Sequence, residues 1–147
     1  MIRKMASAFV AGVVGSACTS GPSILFPTAV ASVSCGPTDG PAVLIELSTA
    51  GRSDPVRPPL VRIMVYRSPA EAMGRTWAVG SGSDEGFGSY CATETNCEAA
   101  TEGSTIRIAR SETAGTLSGD IDLAFPKRGA VRGTFQAVWR ERAVLCG

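Results

Sequence analysis

Two stretches near the C-terminus alternate apolar and polar residues with a period of two. Leu117, Gly119, Ile121, Leu123 and Phe125 interleave with Ser118, Asp120, Asp122 and Ala124. After Pro126-Lys127-Arg128-Gly129, Val131, Gly133, Phe135, Ala137 and Trp139 interleave with Arg132, Thr134, Gln136 and Val138. Successive strand side chains point to opposite faces, so each apolar set lies on one side. The pattern predicts a β-hairpin with one buried face. Pairing Phe125 with Val131 sets Ile121 against Phe135 and Leu117 against Trp139. Gly119 and Gly133 then leave room for large neighbours. The last strand is expected to run on to Cys146.

Upstream, short Val-, Ile- and Thr-rich runs are separated by turn residues, which is the signature of strands. Thr28–Cys35 and Ala42–Ser48 flank Gly36-Pro37-Thr38-Asp39-Gly40-Pro41. Residues 49–59 hold Gly51, Asp54, Pro55, Pro58 and Pro59 and read as a loop. Leu60–Arg67 places Val61, Ile63 and Val65 on one face and Arg62, Met64 and Tyr66 on the other. Arg75–Val79 is a strand centred on Trp77. Gly80–Gly103 reads as a long loop with one strand near Phe87–Ala92, and Ser104–Arg110 as a further strand with Ile106 and Ile108 inward. Only Ser68–Gly74 looks helical: a Ser cap, Pro at the first position and a closing Gly fit one or two turns. The chain is therefore expected to be all-β, an antiparallel sandwich or barrel-like fold of about seven or eight short strands with a C-terminal hairpin.

The N-terminus follows a different logic. Met1-Ile2-Arg3-Lys4 is a short basic start, and Met5–Ala17 is an apolar, small-residue run that ends at Cys18. The run falls short of the roughly twenty residues a membrane-spanning helix needs. It has the layout of an export signal. Gly15-Ser16-Ala17-Cys18 resembles the lipobox of bacterial lipoproteins, a resemblance confined to this leader. It implies cleavage before Cys18, lipid on the Cys18 thiol and attachment to the membrane. A second position competes: Ala29-Val30-Ala31 has the A-x-A form and would start a freely secreted chain at Ser32. The expected layout is a signal over 1–17, a tether over 18–27 that contains Gly21, Pro22 and Pro27, and a β domain over 28–147.

Composition agrees with a single exported domain. The 147 residues leave one core's worth of chain once a leader is removed. Of 14 basic residues two, Arg3 and Lys4, lie in the leader, leaving 12 against 13 acidic ones. With no polybasic block, a nucleic-acid partner has no electrostatic support. Cys35, Cys91, Cys97 and Cys146 remain once Cys18 is assigned to lipid. An even number in an oxidising compartment predicts two disulfides, and of three possible connectivities Cys91–Cys97 with Cys35–Cys146 is expected. Zinc is disfavoured: Cys91 and Cys97 have five residues between them and the chain has no histidine.

The missing histidine also removes Ser-His-Asp and Cys-His catalysis in their usual forms. No phosphate-binding loop or dinucleotide motif is present, so no cofactor is expected. Asp120 and Asp122 share a strand face at roughly 7 Å, a spacing compatible with paired-carboxylate hydrolysis. A solvated face near Arg132 is the plainer assignment. Asp84, Glu85, Glu94, Glu98 and Glu102 form an acidic run that reads as a solvated loop, with calcium as the alternative. Trp139 and Trp77 are assigned to the core. Tyr90, Phe87 and Tyr66 are the candidates for an exposed contact surface. The expected role is a non-catalytic binding or structural module of the bacterial envelope, lipid-anchored, periplasmic or extracellular. Its partner would be a protein or glycan met through the Gly80–Gly103 loop. A carboxylate-dependent hydrolase of an envelope polymer and an inhibitor of a secreted enzyme are the alternatives.

Overall fold

The computed structural model describes residues 23–50, 56–110 and 114–147. Among these residues the elements run β1 (Ser23–Phe26), β2 (Thr28–Cys35), β3 (Pro41–Ser48), β4 (Leu60–Val65), α1 (Pro69–Ala72), β5 (Arg75–Ala78), β6 (Gly86–Cys91), β7 (Cys97–Ala99), β8 (Thr105–Ile108), β9 (Thr116–Phe125) and β10 (Gly129–Arg140). They form one sheet in the order β5-β8-β9-β10-β2-β3-β4-β6-β7, with β1 beside β10. The all-β class is as expected. The sheet is mostly antiparallel and curls into a half-barrel.

The curl gives the sheet an inside. Ile45, Leu47, Ile63, Val65, Ile106 and Leu123 are fully buried there, joined by Trp77, Phe125 and Phe135. Each belongs to an alternating run, so the core face follows from the strand repeat. Backbone hydrogen bonds tie the segment that follows β7 to β6, to the β5–β6 loop and to β9. Ala100 N donates to Gly88 O, Ser81 N to Ala100 O and Thr101 N to Ala124 O, each at 2.8 Å. The segment 100–104 thereby links β6 to β9.

The C-terminal hairpin forms with the expected faces but a different register. Phe125 lies opposite Gly129, Leu123 opposite Val131, Ile121 opposite Gly133, Gly119 opposite Phe135 and Leu117 opposite Ala137. Every expected pair slips by two residues. Gly129 is the reason: at φ 82° it takes a left-handed backbone that closes a three-residue turn. A slip of two preserves both faces, so the alternation is equally satisfied either way. The strand ends at Arg140 rather than at Cys146, and residues 141–147 carry no strand.

The largest departure is at the N-terminal side. The expected tether over 18–27 contains β1, which pairs in parallel with β10 from Ser23–Arg132 to Phe26–Phe135. β2 continues the same parallel seam, with Val30 opposite Val138 and Ala31 opposite Trp139. Between the Phe26 and Val30 pairs three residues of one strand face two of the other, a bulge centred on Pro27. Proline has no N–H to give to the ladder and fits there. Gly80–Gly103 also holds two strands, β6 and β7, where one was expected.

The short helix matches its signals. The Glu71 carboxylate accepts from Ser68 Oγ at 2.5 Å and Ser68 N at 3.2 Å. Those bonds, the hydroxyl's first, hold the Glu71 pKa below its ordinary value. Gly74 follows at φ 76°. The Trp77 indole Nε1–H donates to Ala72 O at 2.8 Å, docking the helix on the core.

Candidate functional site

Strand parity sets the two faces of β6, and of its outward side chains only Phe87 is exposed, Ser89 and Cys91 being buried. Gly88 and Tyr90 face inward, and Phe87, Ser89 and Cys91 face outward. Phe87 stands opposite Met64 and Ser89 opposite Arg62. Cys91 is paired in the ladder with Cys97 and bonded to it, with Cα atoms 4.0 Å apart. Phe87 is 42% exposed, one of few large apolar side chains so presented among the described residues. A shallow cleft of about 330 Å³ lies beside it, lined by Arg62, Met64, Ser89, Glu98, Ala99 and the Cys91–Cys97 bridge. Arg62 is held by Glu46, whose Oε1 accepts from Nε at 3.2 Å and Nη2 at 3.1 Å. The wall is thus a strand ladder with an oriented guanidinium and a covalent clip.

The three expected contact aromatics do not come together. Tyr90 faces the core side, opposite Val61. Its ring centroid is 6.1 Å from that of Phe125, and the Arg128 guanidinium covers it at 4.0 Å. The ring packs against Phe125 and lies under Arg128, so Tyr90 is a structural side chain half-buried at the core margin. The spacing already holds the reason: residues 87 and 90 are an odd number apart and must take opposite faces of one strand. Tyr66 lies just past β4 and is half-buried, packed near Gly36 in the turn between β2 and β3. Only Phe87 presents the exposed surface expected of it.

The acidic candidates are also dispersed. Asp120 receives Arg107 through Nε at 2.7 Å and Nη2 at 2.6 Å, and Asp122 receives Arg132 Nε at 2.9 Å. Both carboxylates stand on the outward sheet face, substantially exposed and cross-strand paired with a guanidinium. Glu85 is committed to the backbone N of Ala78 at 2.8 Å, and Glu98 to the backbone N of Lys127 at 3.1 Å. Asp84, Glu85 and Glu102 do line one hollow of about 420 Å³. Among the described residues, however, no three His, Cys, Asp or Glu gather as a metal site.

One surface was not legible beforehand. Trp139 sits inward at the end of β10, yet is only partly buried, and lines a hollow of about 560 Å³ with Val33, Pro69, Met73 and Thr116. Its alternation marks it as core. The register places it opposite Ala31 near the end of the parallel seam, and the hollow beside it leaves it partly exposed.

The expected disulfides are both present: Cys91–Cys97 and Cys35–Cys146, the latter with Cα atoms 5.5 Å apart across 111 residues of sequence. Such bonds mark an oxidising environment, extracellular or periplasmic. Among the described residues no helix is long and apolar enough to cross a membrane. Cys18 and the leader lie outside the described residues. Comparison with family models, curated proteins and solved structures returned no match for this chain.

Proposed function

We propose that this chain is an exported, envelope-associated β module with a non-catalytic binding role, engaging a protein partner through the Phe87 face. The observation that carries the reading is Phe87 itself: an exposed aromatic beside Met64 and the oriented Arg62, on a wall clipped by a disulfide. Aromatic, Met and Arg side chains are enriched in protein interfaces. A pre-ordered wall lowers the entropy lost on docking. The leader and the disulfides support export, with the lipid on Cys18 as the proposed link to the membrane.

The test is quantitative capture from envelope extracts by the disulfide-intact protein and by Phe87→Ala. Because Phe87 points away from the core, the variant is expected to keep its fold and its two disulfides. A partner lost or weakened by at least about thirtyfold supports the site, the scale of one interface hot spot. An unchanged set of partners at unchanged yield overturns it.

A further inference from the structure

We infer that export processing cuts this chain ahead of Ser23, so that Ala29-Val30-Ala31 is a structural strand segment and not a cleavage site. The inference rests on the export reading above and concerns where the mature protein begins. Ala29, Val30 and Ala31 are 6%, 2% and 0% exposed, in a strand paired on both sides. β2 is the link between the two halves of the sheet: β10 on one side belongs to the β9–β8–β5 half, and β3 on the other to the β4–β6–β7 half. The β10–β2 seam consists of Val138–Val30, Trp139–Ala31 and Arg140–Ser32. A chain starting at Ser32 would keep only the last of these pairs and would lose all of β1.

β10 is also shaped to receive what that cut would remove. A Cβ on Gly133 would overlap the carbonyl oxygen of Ile24 and stand 2.9 Å from the Phe26 ring. The missing side chain at position 133 makes the space that β1 fills. Phe26 in turn is 6% exposed and sits opposite Phe135 in the ladder. A product starting at Ser32 leaves Phe135 uncovered and the β10 edge open, and an unpaired edge is a template for aggregation. Of the two cleavage positions in the sequence, only the one before Cys18 leaves β1 and β2 whole.

The test is N-terminal sequencing, with intact mass, of the full chain exported in a bacterial host. A mature start between Cys18 and Ser23 is the expected result. A start at Ser32 in protein that carries the Cys35–Cys146 bond overturns the inference and leaves export standing. An uncleaved chain beginning at Met1 overturns the export reading and the inference with it.

Discussion

Phe135 lies directly across the ladder from Gly119, with its ring edge 2.8 Å from where a Cβ on Gly119 would stand. The carbonyl oxygen of Arg107 closes the same space from β8. One methyl group there must push a core aromatic and a strand backbone at once. Gly119→Ala is therefore expected to destabilise the fold by about 2 kcal/mol or more, the scale of overpacking in a close-packed interior. Gly133→Ala meets the backbone of β1 and is expected to do the same while also loosening the parallel seam. Urea unfolding of both variants checks the magnitude. Wild-type midpoints would show that Phe135 and β1 have room the fold does not display.

The two disulfides should contribute unequally. Closing 111 residues restricts the unfolded chain far more than closing six. In the chain-entropy model the difference is about 4–5 against about 2 kcal/mol, both upper figures. Replacing Cys35 and Cys146 together by Ala is expected to cost more than replacing Cys91 and Cys97. It also frees residues 141–147, which carry no strand or helix. Denaturant midpoints of the two double variants give the order. The reverse order would show that the unfolded chain keeps its ends together without the bond.

Trp77 and Trp139 should report different surroundings. Trp77 is 5% exposed, stacks under Arg67 at 5.3 Å and holds the helix through its indole N–H. Trp139 is half-buried and lines a hollow. Acrylamide is expected to quench the Trp77→Phe variant, which retains Trp139, more strongly than Trp139→Phe. Trp77→Phe should also cost about 1–3 kcal/mol, because the Ala72 carbonyl loses its buried partner. Equal quenching of the two variants would contradict the placement of Trp139 at a margin.

Acid should loosen the helix cap. The Ser68 hydroxyl and backbone N–H favour the ionised Glu71, so its pKa in the folded chain lies below the ordinary 4.5. A group with a lowered folded-state pKa stabilises fully above its unfolded value and loses that contribution as pH falls through the folded value. Capping is thus complete at neutral pH and disappears on acidification below about 4.5. The amide signal of Ser68, followed by NMR, should move over that range. Glu71→Gln should abolish the movement. A Ser68 signal that titrates equally in both proteins would place the proton elsewhere.

Much of this architecture follows from short-range rules. The period of two along β9 and β10 told which side chains face inward, because a strand turns its side chains to alternate faces whatever its neighbours are. The Ser68-Pro69 start and Gly74 end of the helix are equally local, and so is the opposition of Phe87 and Tyr90 once their segment is a strand. The disulfide pairing was reachable from cysteine spacing and the expected compartment.

Other features depend on contacts between distant residues. A two-residue slip of the hairpin leaves the hydrophobic pattern intact, so Gly129's left-handed turn had to choose the register. β1 was hidden by Pro27 and by its proximity to the leader. A short run of Ser23-Ile24-Leu25-Phe26 becomes a strand only when the edge of β10, more than 100 residues away, offers its hydrogen bonds and the gap at Gly133. The partial exposure of Trp139 and the contacts of Tyr90 with Phe125 and Arg128 are likewise set by distant residues. The chain by itself specified faces, cap and crosslinks. Strand order, the parallel seam and the choice of Phe87 as the outward aromatic came from the tertiary structure, because each requires knowing which residues become neighbours after the chain closes on itself.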